Sequence, residues 1–465
     1  MFAAQMKTPP IIMPLMKHLL ESGFLSPLDE YFGRMHEGAS EHERAFFAAV
    51  MRAARAGHLC LDLSEMEGDA EWQQAVTEGA KTGKSPHIAT EDGRAYLVQN
   101  YQCEIDIALH VQRLCGRAVM PEMETSLAAE QKAAFESVRR ERFSIVTGGP
   151  GTGKTFLIGE IAKGFERVIM TAPTGKAASV LKEKNRQAIC GTVHALFGAR
   201  EEKFVQADLI VVDEASMLGV KMARRVFKGL RTGQRLVLVG DGDQLPPVEG
   251  GGVFKDLIRK VPTVYLRTCL RSDRKEVVEM AAAILAGDEV AIGGDLEWGA
   301  VRRYAEQGYT ILTPLREGPW GVKIVNERLE RELKLQRRPI MITRNDKETG
   351  LANGEVGEME GETAYFEGKR FKVSALPPYE LAHVLSVHKS QGSEFDRVVV
   401  LVPEGSELFG RQLLYTAVTR ARHTVILLGN RGTVKKTVAS ISQRKSGIAK
   451  RLADWRDEPL YAQPY

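Results

Sequence analysis

The sequence predicts an α/β protein built on two parallel-sheet cores, with a helical domain ahead of them and a small β-barrel inserted in the second core. Three observations carry this. From Phe143 onward the short β-rich runs FSIVT, RVIMTA, DLIVVD and RLVLVG follow one another, each trailed by a turn signal and a helical stretch, the alternation of a parallel sheet covered by helices. A second set, YTILTP, RPIMITR, RVVVLVP and TVILLGN, repeats the texture over residues 309–430 and predicts a second core of comparable size. Within it, NGEVGEMEGETAYFEGKRFKV reads as short strands joined at Asn353-Gly354, Glu360-Gly361 and Glu367-Gly368, dipeptides suited to tight hairpin turns.

Taken in order, residues 1–120 are expected to form the helical N-terminal domain, because HERAFFAAVMRAARAGHLCLDL repeats its apolar residues at three and four until Gly57. Residues 121–258 are the first core and 259–465 the second, with the barrel at about 338–384 and DEPLYAQPY as a tail. The 465 residues, 43% hydrophobic and 27% charged, suffice for two or three domains with real cores. A net charge of +4, from 64 basic against 60 acidic residues, confines any polyanion site to a local surface. No apolar run is long enough to span a bilayer and the N-terminus does not read as a secretion signal, so a cytoplasmic protein is expected. The five cysteines contain no C-x-x-C pair and read as buried thiols, not as a disulfide framework or a zinc site.

The chemistry concentrates in the first core. GGPGTGKT fits G-x-x-x-x-G-K-[ST] and directly follows a strand-like run. Gly148, Gly149, Pro150, Gly151, Thr152 and Gly153 can wrap backbone N–H groups around phosphates, Lys154 can reach the β- and γ-phosphates, and the Thr155 hydroxyl can ligate Mg²⁺. A phosphate cradle of this kind needs a carboxylate at the end of a neighbouring strand, and LIVVDEAS supplies Asp213 for Mg²⁺ with Glu214 beside it to orient or deprotonate the attacking water. ATP hydrolysis with Mg²⁺ is the chemistry this pattern indicates. Gln244, in LVLVGDGDQLPPV, is placed as a γ-phosphate sensor, and Arg271 and Arg420 are candidate arginine fingers from beyond the first core.

With these motifs in place the chain resembles the superfamily 1 helicases, whose two cores are RecA-like, and within them the RecD subunits of the bacterial RecBCD exonuclease V. The ordered set that carries the resemblance includes AAEQKAAF, TAPTGKAA, TVHALFG, VGDGDQLPPVEGGGVF, LTPLREGPWGVKIVNERLE, SVHKSQGSEFD and LLYTAVTRAR, with LLESGFLSPLDEYF and LREGPWGVKIVNE particular to RecD. The resemblance implies that Gln131 contacts adenine. It also implies DNA contacts from Thr174, Lys176, Thr192, His194, Asn345, Asn353, His388 and Ser390, 5′→3′ movement, and RecB-like and RecC-like partners acting on DNA ends. Only GAREEKFVQADL separates TVHALF from the Asp213 strand, which leaves little room for a long duplex-splitting hairpin.

Three alternatives stay open at this point: a RecD-like helicase that works without partners, a nucleotide-switched regulatory subunit that is not a motor, and a superfamily 1 enzyme acting on RNA. The polar loop His388-Lys389-Ser390-Gln391-Gly392-Ser393-Glu394 is expected to join the strand grip to the nucleotide cleft, with His388 and Ser390 toward DNA and Gly392 and Glu394 toward ATP.

Overall fold

The computed structural model describes residues 12–118, 127–198, 203–269 and 275–456. The N-terminal region opens with the helices Ile12–Glu21, Pro27–Arg34 and Glu41–Arg55. Two of them begin on capping boxes: Ser26 Oγ accepts from the Asp29 amide while the Asp29 carboxylate accepts from Ser26 N–H, and Ser40 and Glu43 repeat the exchange. Such pairs satisfy donors that every helix start leaves open. Phe46, Phe47 and Val50 then bury against Trp72 and Val76 of the helix Ala70–Thr82.

This region is not purely helical. It also holds an antiparallel sheet of β1 (Cys60–Asp62), β2 (Ile88–Glu91) and β3 (Arg94–Leu97) in the order β1-β3-β2. Strands of three and four residues are too short to show a period of two, which is why the sequence reads as helix throughout. The next helix, Val98–Leu114, packs elsewhere: Ile107, Val111 and Leu114 join the first core's hydrophobic cluster together with Ile448 and Leu452 of the C-terminal helix Ile448–Arg456. An ion pair of 2.5 Å between Asp106 and Arg224 fastens the same face. The expected boundary near residue 120 therefore does not separate two cores.

The first core is a six-stranded sheet of β4 (Phe143–Gly148), β5 (Val168–Ala172), β6 (Ile189–Thr192), β7 (Leu209–Val212), β8 (Arg235–Gly240) and β9 (Thr263–Leu266), in the order β6-β5-β7-β8-β4-β9. Every pairing in it is parallel. β5, β7 and β8 are buried along their whole length, as continuous apolar runs require when helices cover both faces. Ile210, Val212 and Leu236 face one layer and Val211, Val237 and Val239 the other. β9 corrects the expected division at residue 258: it pairs with β4 through Ile145–Thr263 and Val146–Val264 and belongs to the first core.

The second core is a parallel sheet built on β10 (Thr310–Thr313), and between it and the rest of that sheet lies the insertion. The insertion comprises β11 (Arg338–Ile342), β12 (Val356–Glu360), β13 (Thr363–Phe366), β14 (Lys369–Lys372) and β15 (Tyr379–Leu381), all antiparallel in the order β14-β13-β12-β11-β15. Its end strands, β14 and β15, are not paired with each other. The expected barrel is thus an open five-stranded sheet by backbone pairing, and RPIMITR, which the sequence counts among the runs of the second core and also within the 338–384 insertion, is one of its strands. The turns fall where the glycines predict, with Glu367 at φ 43° and Gly368 at φ 77° between β13 and β14. After it come β16 (Val384–Ser386), β17 (Phe395–Val402) and β18 (Ala421–Gly429), which complete the order β16-β10-β17-β18. The helices Lys275–Ala286 and Arg411–Val418 cover one face of this sheet, and Trp298–Glu306 and Val322–Leu333 cover the other. No helix among the described residues is long and apolar enough to cross a membrane.

Candidate active site

β4 ends at Gly148 and the helix Lys154–Ala162 begins six residues later, so the loop between them lies over the sheet's C-terminal edge, where doubly covered sheets place their ligands. Gly153, the residue before the helix, has φ 81° and ψ 21°, a left-handed conformation that side chains resist. The Lys154 ammonium turns back into the loop and donates to the carbonyls of Gly148 at 2.6 Å and Gly149 at 2.8 Å. A cation is thereby held inside the curl of a loop whose helix presents its positive end. Gln131 lies against this loop, 4% exposed; its carbonyl oxygen accepts from Ala128 N–H at 3.4 Å and its amide donates to Thr152 O at 3.3 Å.

Asp213 follows β7, with Glu214 next to it at φ 50° and ψ 36°. Burial, and then the charge of Glu214, hold the Asp213 carboxyl well above the usual carboxylate range, while the Glu214 N–H and Lys154 act in the opposite sense. A carboxylate that is disfavoured where it stands gains from a cation beside it. Thr155 and Asp213 are the two oxygen-bearing side chains that the sequence assigns to Mg²⁺, and carboxylate and hydroxyl oxygens are ligand types that ion accepts.

The two cores meet at the loop after β8. Asp241, 2% exposed, accepts at one oxygen from the Tyr415 hydroxyl at 2.9 Å and from the Gln244 amide at 3.2 Å. Leu245 is gripped at both ends of its backbone: its N–H donates to Thr416 Oγ1 at 2.8 Å, and its carbonyl accepts from the Gln391 amide at 3.4 Å. Arg420, 5% exposed, donates to Thr416 O, Ser393 O and Thr419 Oγ1. Arg271 lies outside the described residues. Sequence reasoning misses Asp241, Tyr415 and Thr416, although Asp241 has a signal: like Asp213, it is a carboxylate that directly follows an apolar run, here Leu236–Gly240.

Several residues assigned to DNA gather on a second surface. A Cβ added to Gly175 would stand 2.9 Å from Ala352 Cβ and 3.0 Å from Asn345 Oδ1, and the Asn345 carboxamide in turn accepts from Asn353 N–H at 2.8 Å. Thr174 caps the helix Gly175–Lys184 through the Ala177 N–H, and burial lowers the pKa of its neighbour Lys176. Gly392 meets Thr174: its Cβ position is 3.8 Å from the Thr174 hydroxyl, so this glycine, expected at the nucleotide, lies beside residues assigned to DNA. Thr192 caps the short helix that carries the exposed His194.

The others are placed apart. Ser390 is fully buried, its hydroxyl spent on Val387 O at 2.8 Å. His388 faces a cavity of about 620 Å³ lined also by His58, Trp72, Pro246, Phe409 and Arg444, and burial, then Arg444, lower its pKa. Glu394 pairs with Arg422 at 3.4 Å.

The chain matches the N-terminal domain of RecBCD enzyme subunit RecD over residues 21–103, an AAA domain over 126–311 and a UvrD-like helicase C-terminal domain over 381–428. It is 30% identical to the RecBCD enzyme subunit RecD of Mycolicibacterium smegmatis, in an alignment covering 87% of this chain and 92% of that one. This chain belongs to the RecD family. A second relative, the ATP-dependent RecD2 DNA helicase of Deinococcus radiodurans, is also 30% identical, over 86% of this chain and 67% of its own length. Among solved structures, one of two coordinating Pif1 helicases at forked dsDNA has a TM-score of 0.48 at 17% identity and covers 69% of this chain and 95% of that one. The match to the RecD N-terminal domain covers the helices Pro27–Arg34 and Glu41–Arg55 and the three-stranded sheet, and the AAA match covers the glycine-rich loop.

Proposed function

We propose that this RecD-family chain is an ATP-driven 5′→3′ DNA translocase and helicase, acting in the cytoplasm as the RecD-type subunit of a RecBCD-like complex on DNA ends, in double-strand break repair and recombination. The observation that carries this reading is the seam: the Tyr415 hydroxyl of the second core bonds Asp241 of the first and lies against the phosphate loop, 3.1 Å from where a Gly149 Cβ would be. A loop that holds nucleotide phosphates is thereby in contact with the part that must move. Lys154 leaves the Gly148 and Gly149 carbonyls for the β- and γ-phosphates, while Gln131 steadies the loop and faces the adenine. Thr155 and Asp213 would hold Mg²⁺, which supplies charge neutralisation at the phosphates.

Glu214 takes the proton from the attacking water, Gln244 orients that water, and Arg420 and Arg271, as arginine fingers, meet the charge that builds on the phosphate oxygens. On the other surface Thr174, Lys176, Asn345 and Asn353 grip single-stranded backbone between the cores, with Thr192 and His194 farther along the first core. Closure on ATP and reopening after hydrolysis change that grip alternately, which moves the strand. Support for the complex comes from the relatives named as RecBCD subunits and from the match of the N-terminal region to the RecD N-terminal domain, which we assign to docking a RecC-like partner beside a RecB-like one. The five-stranded insertion carries Asn345 and Asn353, on the segment between β11 and β12, to the strand.

The test is ATP hydrolysis with and without single-stranded DNA. The wild type should be stimulated by DNA, and Lys154→Ala should lose at least about 100-fold in rate. Equal hydrolysis by the two proteins would remove the assignment of the site, and a wild type indifferent to DNA would remove the motor.

A further inference from the structure

Gln244 has its two polar ends in unlike surroundings. Its amide nitrogen faces the Asp241 carboxylate at 3.2 Å, while its oxygen is buried and has no hydrogen-bond partner among the described residues. A carboxylate only accepts hydrogen bonds, so Asp241 dictates which way the carboxamide points: nitrogen toward Asp241, oxygen away from it. That oxygen is a free acceptor, and a water that donates to it is held by one hydrogen with its lone pairs free to attack.

Asp241 is itself fixed by three donors. Asp243 N–H reaches one carboxylate oxygen at 3.1 Å, and the other takes the Gln244 amide and the Tyr415 hydroxyl, the last at 2.9 Å. Of the three donors, only Tyr415 comes from the second core. It is 3% exposed on the helix Arg411–Val418, whose next residue, Thr416, holds the Leu245 N–H directly after Gln244. The sensor loop is therefore clamped from the second core on both sides of the sensor.

We propose that Tyr415 is a positioning residue for hydrolysis: its hydroxyl, delivered by the second core, holds Asp241, and Asp241 holds Gln244 in the orientation that accepts from the attacking water. When the cores part, the 2.9 Å bond is lost, Asp241 is free to turn and the carboxamide loses its preference. Water attack is then confined to the closed seam. The inference rests on the sensor role given to Gln244 above and adds the reason that role depends on core closure. Burial, and then the nearby Asp241 charge, raise the Tyr415 phenol well above its ordinary pKa, which keeps it a donor throughout the working range of pH.

The test is a double-mutant cycle of Tyr415→Phe and Gln244→Ala, read as kcat and KM of DNA-stimulated ATP hydrolysis by the full chain. Tyr415→Phe should lower kcat about ten-fold, the worth of one buried hydrogen bond, and leave the KM for ATP within about two-fold, since phosphate binding does not pass through it. On the Gln244→Ala background it should add nothing. Asp241→Asn, which leaves the Tyr415 ring untouched, should reproduce the kcat loss, because a carboxamide no longer dictates the orientation of its neighbour.

Additive losses from Tyr415→Phe and Gln244→Ala would overturn the latch, as would a Tyr415→Phe protein at the wild-type rate beside a slow Gln244→Ala. A Gln244→Ala protein at the wild-type rate removes the sensor role as well, and Lys154→Ala then shows whether the nucleotide site survives without it. A parallel rise in KM and fall in melting temperature, with kcat unchanged, would assign Tyr415 to packing alone.

Discussion

Asp256 lies on the short helix Val253–Ile258 of the first core, and its carboxylate accepts from the Ser446 hydroxyl of the C-terminal strap at 2.7 Å. Burial pushes its pKa up to about 7 against the Ser446 hydrogen bond, with the charge of Glu104 adding to the rise and Lys255 and Arg259 opposing it. An unfolded aspartate titrates near about 3.9. An acid whose folded pKa is raised binds its proton more tightly in the folded state, so its contribution to stability falls as pH rises from about 4 to about 7 and is constant above. The full difference converts to at most about 4 kcal/mol, and about 2 kcal/mol is the expected loss between pH 5 and pH 8 once local water and side-chain relaxation screen the charge.

Asp256→Asn removes the titration while keeping an oxygen for Ser446. Melting the two proteins at pH 5, 6, 7 and 8 should show the asparagine variant gaining on the wild type steadily to about pH 7, by roughly 4 °C in the first-core transition, and no further. Two profiles that run parallel across this range would refute the reasoning. So would a wild type that gains on the variant toward pH 8.

The same strap supplies a second prediction: Glu104 is fully buried, bonded to Gly447 N–H at 2.8 Å and to Arg451 at 3.4 Å, so Arg451→Ala should cost about 3 kcal/mol by leaving it without a cation, and limited proteolysis should then cut the strap at residues 440–447 first. A third concerns the strand surface, where Gly175→Val would drive a side chain into Ala352 and Asn345. Fluorescence anisotropy should show single-stranded DNA binding weakened about ten-fold with nucleotide affinity held, and loss of both together would mean that the two surfaces are not separate.

How far the sequence could be read follows from what each feature needs. The phosphate loop, the Asp213 strand and both parallel sheets were legible because each depends on residues adjacent in the chain: an apolar run, a turn and a helix start. The three-stranded sheet of the N-terminal region was not, since three or four residues carry too little periodicity. β9 was assigned to the wrong core because strand order is a non-local property, and nothing in TVYL says that it lies beside β4. Open versus closed pairing of the inserted sheet is non-local for the same reason. The seam was half legible: Gln244 and Arg420 stood out as residue types, while Tyr415, Thr416 and Asp241 acquire a role only once the two cores face each other across more than 170 positions of chain.

The polar loop 388–394 shows how local and non-local demands share one segment. Part of its hydrogen-bonding capacity is spent on its own turn: Ser390 Oγ donates to Val387 O, Lys389 N–H to Ser386 Oγ, and Ser393 N–H to Ser390 O. A tight connection between two buried strands would need this much in any protein. Two of its other residues reach outward in different directions, with the Gln391 amide on Leu245 O beside the sensor and Gly392 against the Thr174 hydroxyl. Because Gln391 and Gly392 are consecutive, a shift of either is transmitted to the other by the peptide bond between them, with no intervening side chains to repack. The internal bonds make the turn stiff, and a stiff turn moves as a body. The bonds internal to the turn are thus what would allow displacement at Thr174 to reach Leu245 undiminished.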